Sequence, residues 1–306
     1  MSCNSPLFRK INGEYVAVPC GYCYACKIDK RNMWSDRLLH DSSHAMKQGF
    51  GSTFLTLTYD DLHYPFNGSL SVDDAQKFIK RLRRECEYHE IKMPVYASAG
   101  KPTFHYYLVG EYGGKIGRPH YHAIVCGLDD DTMKPLARLC WKSGFNLCKP
   151  LMAGGIRYVL KYIDKQCSPD MEEKIYTSAG LHPPFSICSR GIGKDYLIEN
   201  KEFLSEYGAY RYKSSMRPLP YYYRKLLGYK SGDSPLKKVL SPAVREALAS
   251  GSGALELYNA RKALNLELQY VHALQADNTP ANLDGVKYLQ KVVGYLEKKA
   301  NKDGSK

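Results

Sequence analysis

The chain has 306 residues and a formal net charge of +13 at pH 7, and this length allows a full hydrophobic core and two domains. Such a basic excess favours a polyanionic partner, most often nucleic acid, with a merely basic protein as the alternative. The 26 tyrosines against 9 phenylalanines favour single strands over duplexes, because tyrosine rings stack on unpaired bases. We expect neither a membrane span nor a signal peptide, since the sequence has no apolar run of about 18 residues and no apolar N-terminal core.

The first chemical cluster is a run of cysteines at positions 19–26, PCGYCYAC, with Cys3 upstream. The spacing of Cys20, Cys23 and Cys26 brings three thiolates into one tight turn, which suits a structural Zn²⁺ if Cys3 is the fourth ligand. Reduced thiols beside a helix start are the alternative, and an iron–sulfur cluster is less favoured because nothing else indicates redox chemistry. Without a secretory signal, the ten cysteines are not expected to form a disulfide framework.

The elements that follow the cysteines indicate an α+β fold. A charged helix is predicted over 27–48, and alternation over 52–59 predicts a half-buried strand with Thr56 and Thr58 on one face. Asp60 and Asp61 are interpreted as the start of a turn rather than as metal ligands. The remaining predicted elements are a helix over 71–88, strands over 104–112 and 119–125, a helix over 129–141 and a strand over 144–147. This β-α-β-β-α-β order is that of ferredoxin-like domains with a central antiparallel sheet.

The central feature of the sequence is the pair His120 and His122 in an apolar run, which puts both imidazoles on one side of a strand. If the hairpin closes with Tyr112 opposite Pro119, Glu111 lies opposite His120 and shares that face. A slip of one residue would turn Glu111 to the other face, so the prediction depends on register. The alternative is two half-exposed strand histidines beside a glutamate. We predict a metal site formed by Glu111, His120 and His122.

The segment 155–165 is predicted as a helix that carries two tyrosines one turn apart, Tyr158 and Tyr162. Its core stripe consists of Ile156, Val159, Leu160 and Ile163, and the tyrosines lie together roughly 130° away from it. Each tyrosine is followed three residues later by a lysine, Lys161 or Lys165. A nearby ammonium would lower the phenol pKa, normally about 10, and would favour a nucleophilic role. The alternative is a pair of amphipathic tyrosines at the rim of the domain.

Three motifs resemble, in their order, those of the HUH (His-hydrophobe-His) endonucleases, which initiate rolling-circle replication. They are FLTLTY at 54–59, GRPHYHAIV at 117–125 and YVLKYIDK at 158–165. VPCGYCYAC at 18–26 and GEYG at 110–113 further resemble the replication initiator (Rep) of gokushovirus-type single-stranded-DNA phages, the Microviridae. The resemblance covers roughly residues 1–225, and the combination of motifs is specific although each one alone is not.

The resemblance implies an HUH endonuclease domain, which we assign to 51–230, after an N-terminal Cys-rich segment and helix over 1–50 and before a helical tail over 231–306. It implies Mg²⁺ or Mn²⁺ on His120, His122 and Glu111, although the same ligands also suit zinc. Tyr158 or Tyr162 would attack the DNA, with Lys161 and Lys165 beside them, leaving a 5′-phosphotyrosine link and a free 3′-hydroxyl. The second tyrosine would then cleave the regenerated origin.

The implied partners are single-stranded DNA at the phage replication origin, a host helicase and a DNA polymerase, in the host bacterial cytoplasm and without a membrane. A plasmid relaxase or transposase that uses the same site is one alternative, and a zinc-stabilised single-stranded-DNA-binding protein without catalysis is another. Tyrosines and basic residues alternate over 201–230 and suit single strands by stacking and charge. A tyrosine-rich cover for the domain explains them equally well. For Ser189–Gly193 we expect no more than a backbone contact to DNA.

Overall fold

The computed structural model describes residues 3, 6–11, 14–113, 117–163, 168–212 and 215–229. The chain divides into two compact units, of which the first contains Cys3–Glu206 and Leu219–Ser231, while the described residues of the second lie in Tyr207–Pro218. The predicted helical tail over 231–306 and Lys165 lie outside the described residues. Within the described ranges, no helix is long and apolar enough to cross a membrane.

The elements of the first unit begin with the antiparallel pair β1 (Leu7–Ile11) and β2 (Glu14–Val18) and the long helix α1 (Tyr24–Lys47). Then come β3 (Ser52–Tyr59), α2 (Val72–Tyr88), β4 (Val95–Tyr96), β5 (Lys101–Pro102), β6 (His105–Tyr112), β7 (Pro119–Cys126), α3 (Asp130–Cys140) and β8 (Gly144–Pro150). Next are α4 (Ala153–Leu160), a 3₁₀ turn (Lys161–Ile163), α5 (Pro169–Ile175), a second 3₁₀ turn (Thr177–Ala179), β9 (Phe185–Cys188), α6 (Lys194–Glu199) and α7 (Lys201–Tyr207). In the second unit β10 (Ala209–Tyr212) and β11 (Ser215–Pro218) form a hairpin, and α8 (Tyr221–Leu226) returns to the first unit.

A five-stranded antiparallel sheet is the centre of the first unit, with the strand order β8-β3-β7-β6-β9. The prediction of an α+β fold with a central antiparallel sheet is therefore confirmed. The predicted elements occur in the predicted order, and the short pair β4 and β5 is inserted between α2 and β6. The edge strand β9 was not predicted from the sequence.

Each face of the sheet packs against its own helices. Leu55, Leu57 and Tyr59 of β3 are buried together with residues of α2 and α3, as the alternation over 52–59 predicted. The opposite face carries Val109 and Ile124, which are buried with residues of α1, α4 and the turn after α4. This second face is the one that bears His120, His122 and Glu111, because those side chains alternate with the residues of the first core.

The segment Ser189–Gly193 is held against α1 by buried polar contacts. The Arg37 guanidinium donates from Nε to the Ile192 carbonyl oxygen (3.0 Å), and the Gly193 amide donates to Asp41 Oδ1 (2.7 Å). The second Asp41 oxygen lies 3.0 Å from His105 Nδ1 on β6. Buried polar groups need such partners, so this segment joins α1 to the sheet, a role that the sequence did not predict.

Two tyrosines of the predicted tyrosine-rich region cover α1. The Tyr223 hydroxyl is 2.9 Å from His40 Nδ1, and the Arg37 guanidinium lies 3.8 Å from the centre of the Tyr222 ring. Burial lowers the pKa of His40 to about 3, so this imidazole is neutral and accepts or donates as a neutral ring. For these two tyrosines the interpretation as a cover for the domain is the correct one.

Gly193 provides a test of this packing. Its φ is +76°, and an added Cβ would lie 2.4 Å from the Tyr223 hydroxyl and 3.0 Å from the Arg37 carbonyl oxygen. We expect Gly193→Ala to lower the free energy of unfolding by about 2 kcal/mol or more, measured by urea denaturation. Gly154→Ala in α4 is the matched control, since a Cβ there meets nothing within 4 Å and alanine is the better helix former by up to about 1 kcal/mol. Equal stabilities of the two variants would contradict this account.

Candidate metal and nucleophile site

The register between β6 and β7 is the predicted one. Tyr112 lies opposite Pro119, Glu111 opposite His120 and Val109 opposite His122. As a result, one ligand atom from each of Glu111, His120 and His122 lies within 4.8 Å of the other two. The prediction that these three side chains share one face is confirmed.

Glu111 is the centre of this cluster. Its Oε1 is 2.8 Å from His120 Nε2 and 3.6 Å from His122 Nε2. The side chain of Glu111 is buried, and a buried carboxylate needs a positive charge or hydrogen-bond donors nearby to offset the loss of hydration. Either a protonated imidazole or a bound cation supplies that charge.

The other ring nitrogens of both histidines are already engaged. His120 Nδ1 lies 3.0 Å from the Arg118 carbonyl oxygen, which only accepts, so Nδ1 carries the hydrogen. His122 Nδ1 lies 2.9 Å from the Thr56 hydroxyl, because Thr56 on β3 is the register partner of His122. Second contacts of this kind fix the ring orientation of metal-binding histidines. Both Nε2 atoms are therefore directed toward Glu111.

The donor set fits a divalent metal ion. Adjacent ligands of a six-coordinate ion with metal–oxygen distances of about 2.1 Å lie about 3 Å apart, close to the separations of 2.8 and 3.6 Å measured here. Two imidazole nitrogens and a carboxylate oxygen suit manganese and zinc as well as magnesium, so the donor set does not select one metal.

The helix α4 brings both predicted tyrosines to His122. The ring centres of Tyr158 and His122 are 5.2 Å apart with the rings perpendicular, and those of Tyr162 and His122 are 5.6 Å apart with the rings parallel. The nitrogen of Lys161 lies 5.7 Å from the centre of the Tyr158 ring. Tyr158, Tyr162 and Lys161 therefore lie at the candidate metal site, whereas Lys165 lies outside the described residues.

The two tyrosines are not equivalent, and in this respect the sequence prediction was wrong. Tyr158 is 43% exposed, but Tyr162 is only 7% exposed and lies in the hydrophobic core of its face. The reason is that α4 ends at Leu160 and Lys161–Ile163 form a 3₁₀ turn. A 3₁₀ turn has about 3.0 residues instead of 3.6, so it rotates Tyr162 away from its α-helical position.

The electrostatic prediction also needs correction at Tyr162. Burial is the largest effect that raises the pKa of the Tyr162 phenol, followed by the negative charge of Glu111 and the hydrogen bond with Tyr158. The expectation that a neighbouring ammonium lowers that pKa is therefore wrong for this residue. At neutral pH Tyr162 is protonated, and a cation near Glu111 would offset part of the effect.

The four cysteines predicted to bind zinc form a second cluster. The sulfur atoms of Cys3, Cys20, Cys23 and Cys26 lie within 4.8 Å of one another, immediately before α1. The amide of Cys20 donates to Cys3 Sγ (3.3 Å), and the amide of Cys23 donates to Cys20 Sγ (3.2 Å). The Cys23 amide is the main cause of a lowered pKa at Cys20, whereas burial raises the pKa of Cys26 to about 12. Four thiols at these distances fit one tetrahedral metal ion.

Sequence reasoning missed two residues that position the site, Thr56 and Arg118. Thr56 was assigned only to a strand face, although its period-2 alternation on that strand would have directed it toward the neighbouring histidine strand once the pairing was known. The role of Arg118 is carried by its backbone carbonyl, so its side-chain type gave no signal.

Comparison with known proteins gives the class. Residues 52–167 match a family model that describes replication-associated proteins of the ORF2 type, and this range contains Glu111, His120, His122, Tyr158 and Tyr162. No solved structure matches the chain. The range also includes every strand of the central sheet except β9.

Three relatives carry the same description. The chain is 29% identical to replication-associated protein ORF2 of Spiroplasma virus 4 over 63% of its own length and 61% of that protein. It is 31% identical to replication-associated protein VP4 of Bdellovibrio phage phiMH2K over 41% and 37% of the two lengths. It is 29% identical to replication-associated protein ORF4 of Chlamydia phage 1 over 49% and 38%. The matched regions thus span less than two thirds of each relative, and the predicted resemblance to phage replication-associated proteins is confirmed.

Removal of the Thr56 hydroxyl tests the metal site. We expect Thr56→Val to weaken Mn²⁺ binding about 10- to 100-fold in isothermal titration, because His122 loses the partner that orients its ring. Binding should also weaken below about pH 6.5, where histidines take up protons that compete with the metal.

Thr58→Val is the matched control, since Thr58 lies opposite His120 on the same strand. Its hydroxyl has no hydrogen bond among the contacts found for the described residues. Mn²⁺ affinity within about twofold of the wild type is expected for this variant. Equal losses in both variants would mean that Thr56 does not act through His122.

Proposed function

We propose that the chain is a metal-dependent HUH endonuclease that nicks and rejoins single-stranded DNA at a phage replication origin. The observation that carries this proposal is the convergence of two histidines, a buried glutamate and an exposed tyrosine on one sheet face, at Glu111, His120, His122 and Tyr158. The names of the relatives, all replication-associated proteins, support a role in phage replication.

The topology supports the same class. The sequence of elements β3-α2-β6-β7-α3-β8, with the sheet order β8-β3-β7-β6, agrees with the ferredoxin-like arrangement that the resemblance implies. The strands that carry the histidines and Glu111 are adjacent, and β3 lies next to them with its threonines on the same face.

The proposed reaction is attack by a tyrosine on a phosphodiester. A divalent Mg²⁺ or Mn²⁺ held by Glu111, His120 and His122 would polarise the scissile phosphate. The Tyr158 oxygen forms a bond to phosphorus as the bond from phosphorus to the 3′-oxygen breaks. The phenolic proton leaves to solvent, and the departing 3′-oxygen takes up a proton. The products are a 5′-phosphotyrosine link and a free 3′-hydroxyl, which primes synthesis.

The unequal burial of the tyrosines supports an order of use. Tyr158 is exposed, and the ammonium of Lys161 beside its ring adds positive charge next to the phosphate. Tyr162 is buried and its pKa is raised, so it is the weaker nucleophile before DNA binds. We propose that Tyr158 makes the first cut and that Tyr162 acts when the origin is regenerated, releasing the first link. A host helicase and a DNA polymerase stay predictions.

We propose that Cys3, Cys20, Cys23 and Cys26 hold a structural Zn²⁺. Amide hydrogen bonds to Cys3 and Cys20 stabilise their sulfur atoms as thiolates, and thiolates are the form that binds zinc. The ion would fix the chain before β1 to the start of α1.

Covalent trapping tests the nucleophiles. Incubation with a labelled single-stranded origin oligonucleotide and Mn²⁺, followed by a denaturing gel, should give a protein–DNA adduct. We expect Tyr158→Phe to lower the first-turnover rate about 100-fold or more, because it removes the accessible nucleophile. Tyr162→Phe should leave that rate within a few-fold, and the double variant should give no adduct. An adduct that persists in the double variant would overturn the assignment.

The pH dependence of the residual reaction adds a second readout. In Tyr158→Phe any remaining cleavage relies on Tyr162, whose pKa is raised by burial. Its phenolate fraction increases about tenfold per pH unit below that pKa. The residual rate should therefore rise from pH 7 to pH 9, whereas a flat profile would exclude Tyr162 as the residual nucleophile.

Zinc analysis tests the cysteine cluster. Elemental analysis of Cys23→Ser should show about one zinc per chain fewer than the wild type, with a lower melting temperature. Cys188→Ser is the control, because Cys188 lies on β9 outside the cluster. The same zinc content in both variants and the wild type would contradict the proposed site.

A further inference from the structure

The edge strand β8 has an apolar exposed face. Cys148 is buried in the core beneath α2 and α3, and the residues that alternate with it, Phe145, Leu147 and Lys149, point to the opposite side. Phe145 is 70% exposed and Leu147 is 50% exposed. An antiparallel strand with one solvated face normally carries polar residues on that face. We call Phe145, Leu147 and Lys149 the β8 face.

Exposure by itself decides nothing, because single exposed apolar residues are common on protein surfaces. The location of these residues decides more. Phe145 is the register partner of Thr58, and Thr58 is the partner of His120. One row of the sheet thus runs from Phe145 through β3 to a candidate metal ligand.

A second row runs parallel to the first. Leu147 pairs with Thr56, and Thr56 pairs with His122. Neighbouring strands are about 4.8 Å apart, so the backbones of Phe145 and Leu147 lie about 10 Å from those of the two histidines. The β8 face and the candidate metal site are therefore parts of one continuous sheet surface.

The third residue connects the β8 face to the nucleophile. Lys149 pairs with Phe54, and the Phe54 ring lies 5.8 Å from the Tyr158 ring in an edge contact. An exposed ammonium at this position suits a phosphate. The chain's net charge of +13 also favours a polyanion over an acidic or neutral protein surface.

We infer that the β8 face binds the unpaired bases of single-stranded DNA next to the phosphodiester that is cleaved, with Phe145 as the stacking residue. The inference rests on the proposed function and adds the site that holds the strand in place. Aromatic side chains beside basic residues are the usual means of binding single strands without reading their sequence. Paired bases expose no ring face, so a duplex does not gain from this contact.

Fluorescence anisotropy with the full chain and a labelled 20-nucleotide oligothymidine tests the inference. A stacked base contributes an affinity factor of about 5 to 150, so Phe145→Ala should weaken binding about tenfold or more. Phe145→Tyr should restore it to within about twofold, because the ring is kept. Lys149→Ala should reduce the slope of log K against log salt by about 0.7.

Tyr88→Ala is the matched control. Tyr88 is 78% exposed and ends α2, which packs on the other face of the sheet. Its removal should leave oligothymidine affinity unchanged, and none of these variants should lose more than about twofold affinity for a 20-base-pair duplex, except Lys149→Ala. Because Phe145 and Tyr88 are both exposed, neither truncation removes core packing.

Two results would overturn the inference. One is oligothymidine binding by Phe145→Ala that equals the wild type, and the other is an equal loss in Tyr88→Ala. A shift of Phe145→Ala in sedimentation from dimer to monomer, with unchanged DNA affinity, would instead assign the β8 face to a second copy of the chain. These binding measurements need no cleavage, so they can fail while the tyrosine adduct still forms, and the proposed function can fail while they succeed.

Discussion

The pairing of β6 with β7 is the constraint on which the site depends. In the observed register Glu111 lies opposite His120, and a shift of one residue would separate the carboxylate from both imidazoles. The same shift would expose Leu108 and Ala123, which are buried in the core beneath α2 and α3. Burial of apolar side chains therefore enforces the geometry of the polar cluster on the opposite face, at no further cost in specific contacts.

The two faces of the sheet have different tasks. The face beneath α2 and α3 is a continuous hydrophobic core. The other face is apolar only where α1 and α4 cover it, and it becomes polar at the ends of β6 and β7, where the candidate metal ligands lie. The contacts of Asp41 with His105 and Gly193 hold α1 on that face. The tyrosines of α4 thus approach a rigid sheet, and rigidity is what a positioned nucleophile requires.

Much of this arrangement could be predicted from short-range patterns. The two-residue period of β3 and β7 predicted which residues face the core, and the hairpin between β6 and β7 has one pairing that buries its apolar set. The exposure of Tyr162 could not be predicted, because the change to a 3₁₀ turn at Lys161 depends on what Tyr162 packs against. The docking of Gly193 on Asp41 joins residues 152 positions apart, and no local pattern contains such a contact.

The central claim is that a tyrosine beside His122 becomes covalently joined to the 5′-phosphate of DNA. The most direct measurement is tandem mass spectrometry of the adduct after digestion with a protease and a nuclease, taken at the first turnover. The account predicts the mass of a 5′-nucleotide on Tyr158, with a second population on Tyr162 only after rejoining. A modification on any other residue would contradict the account, as would cleaved DNA with an unmodified protein.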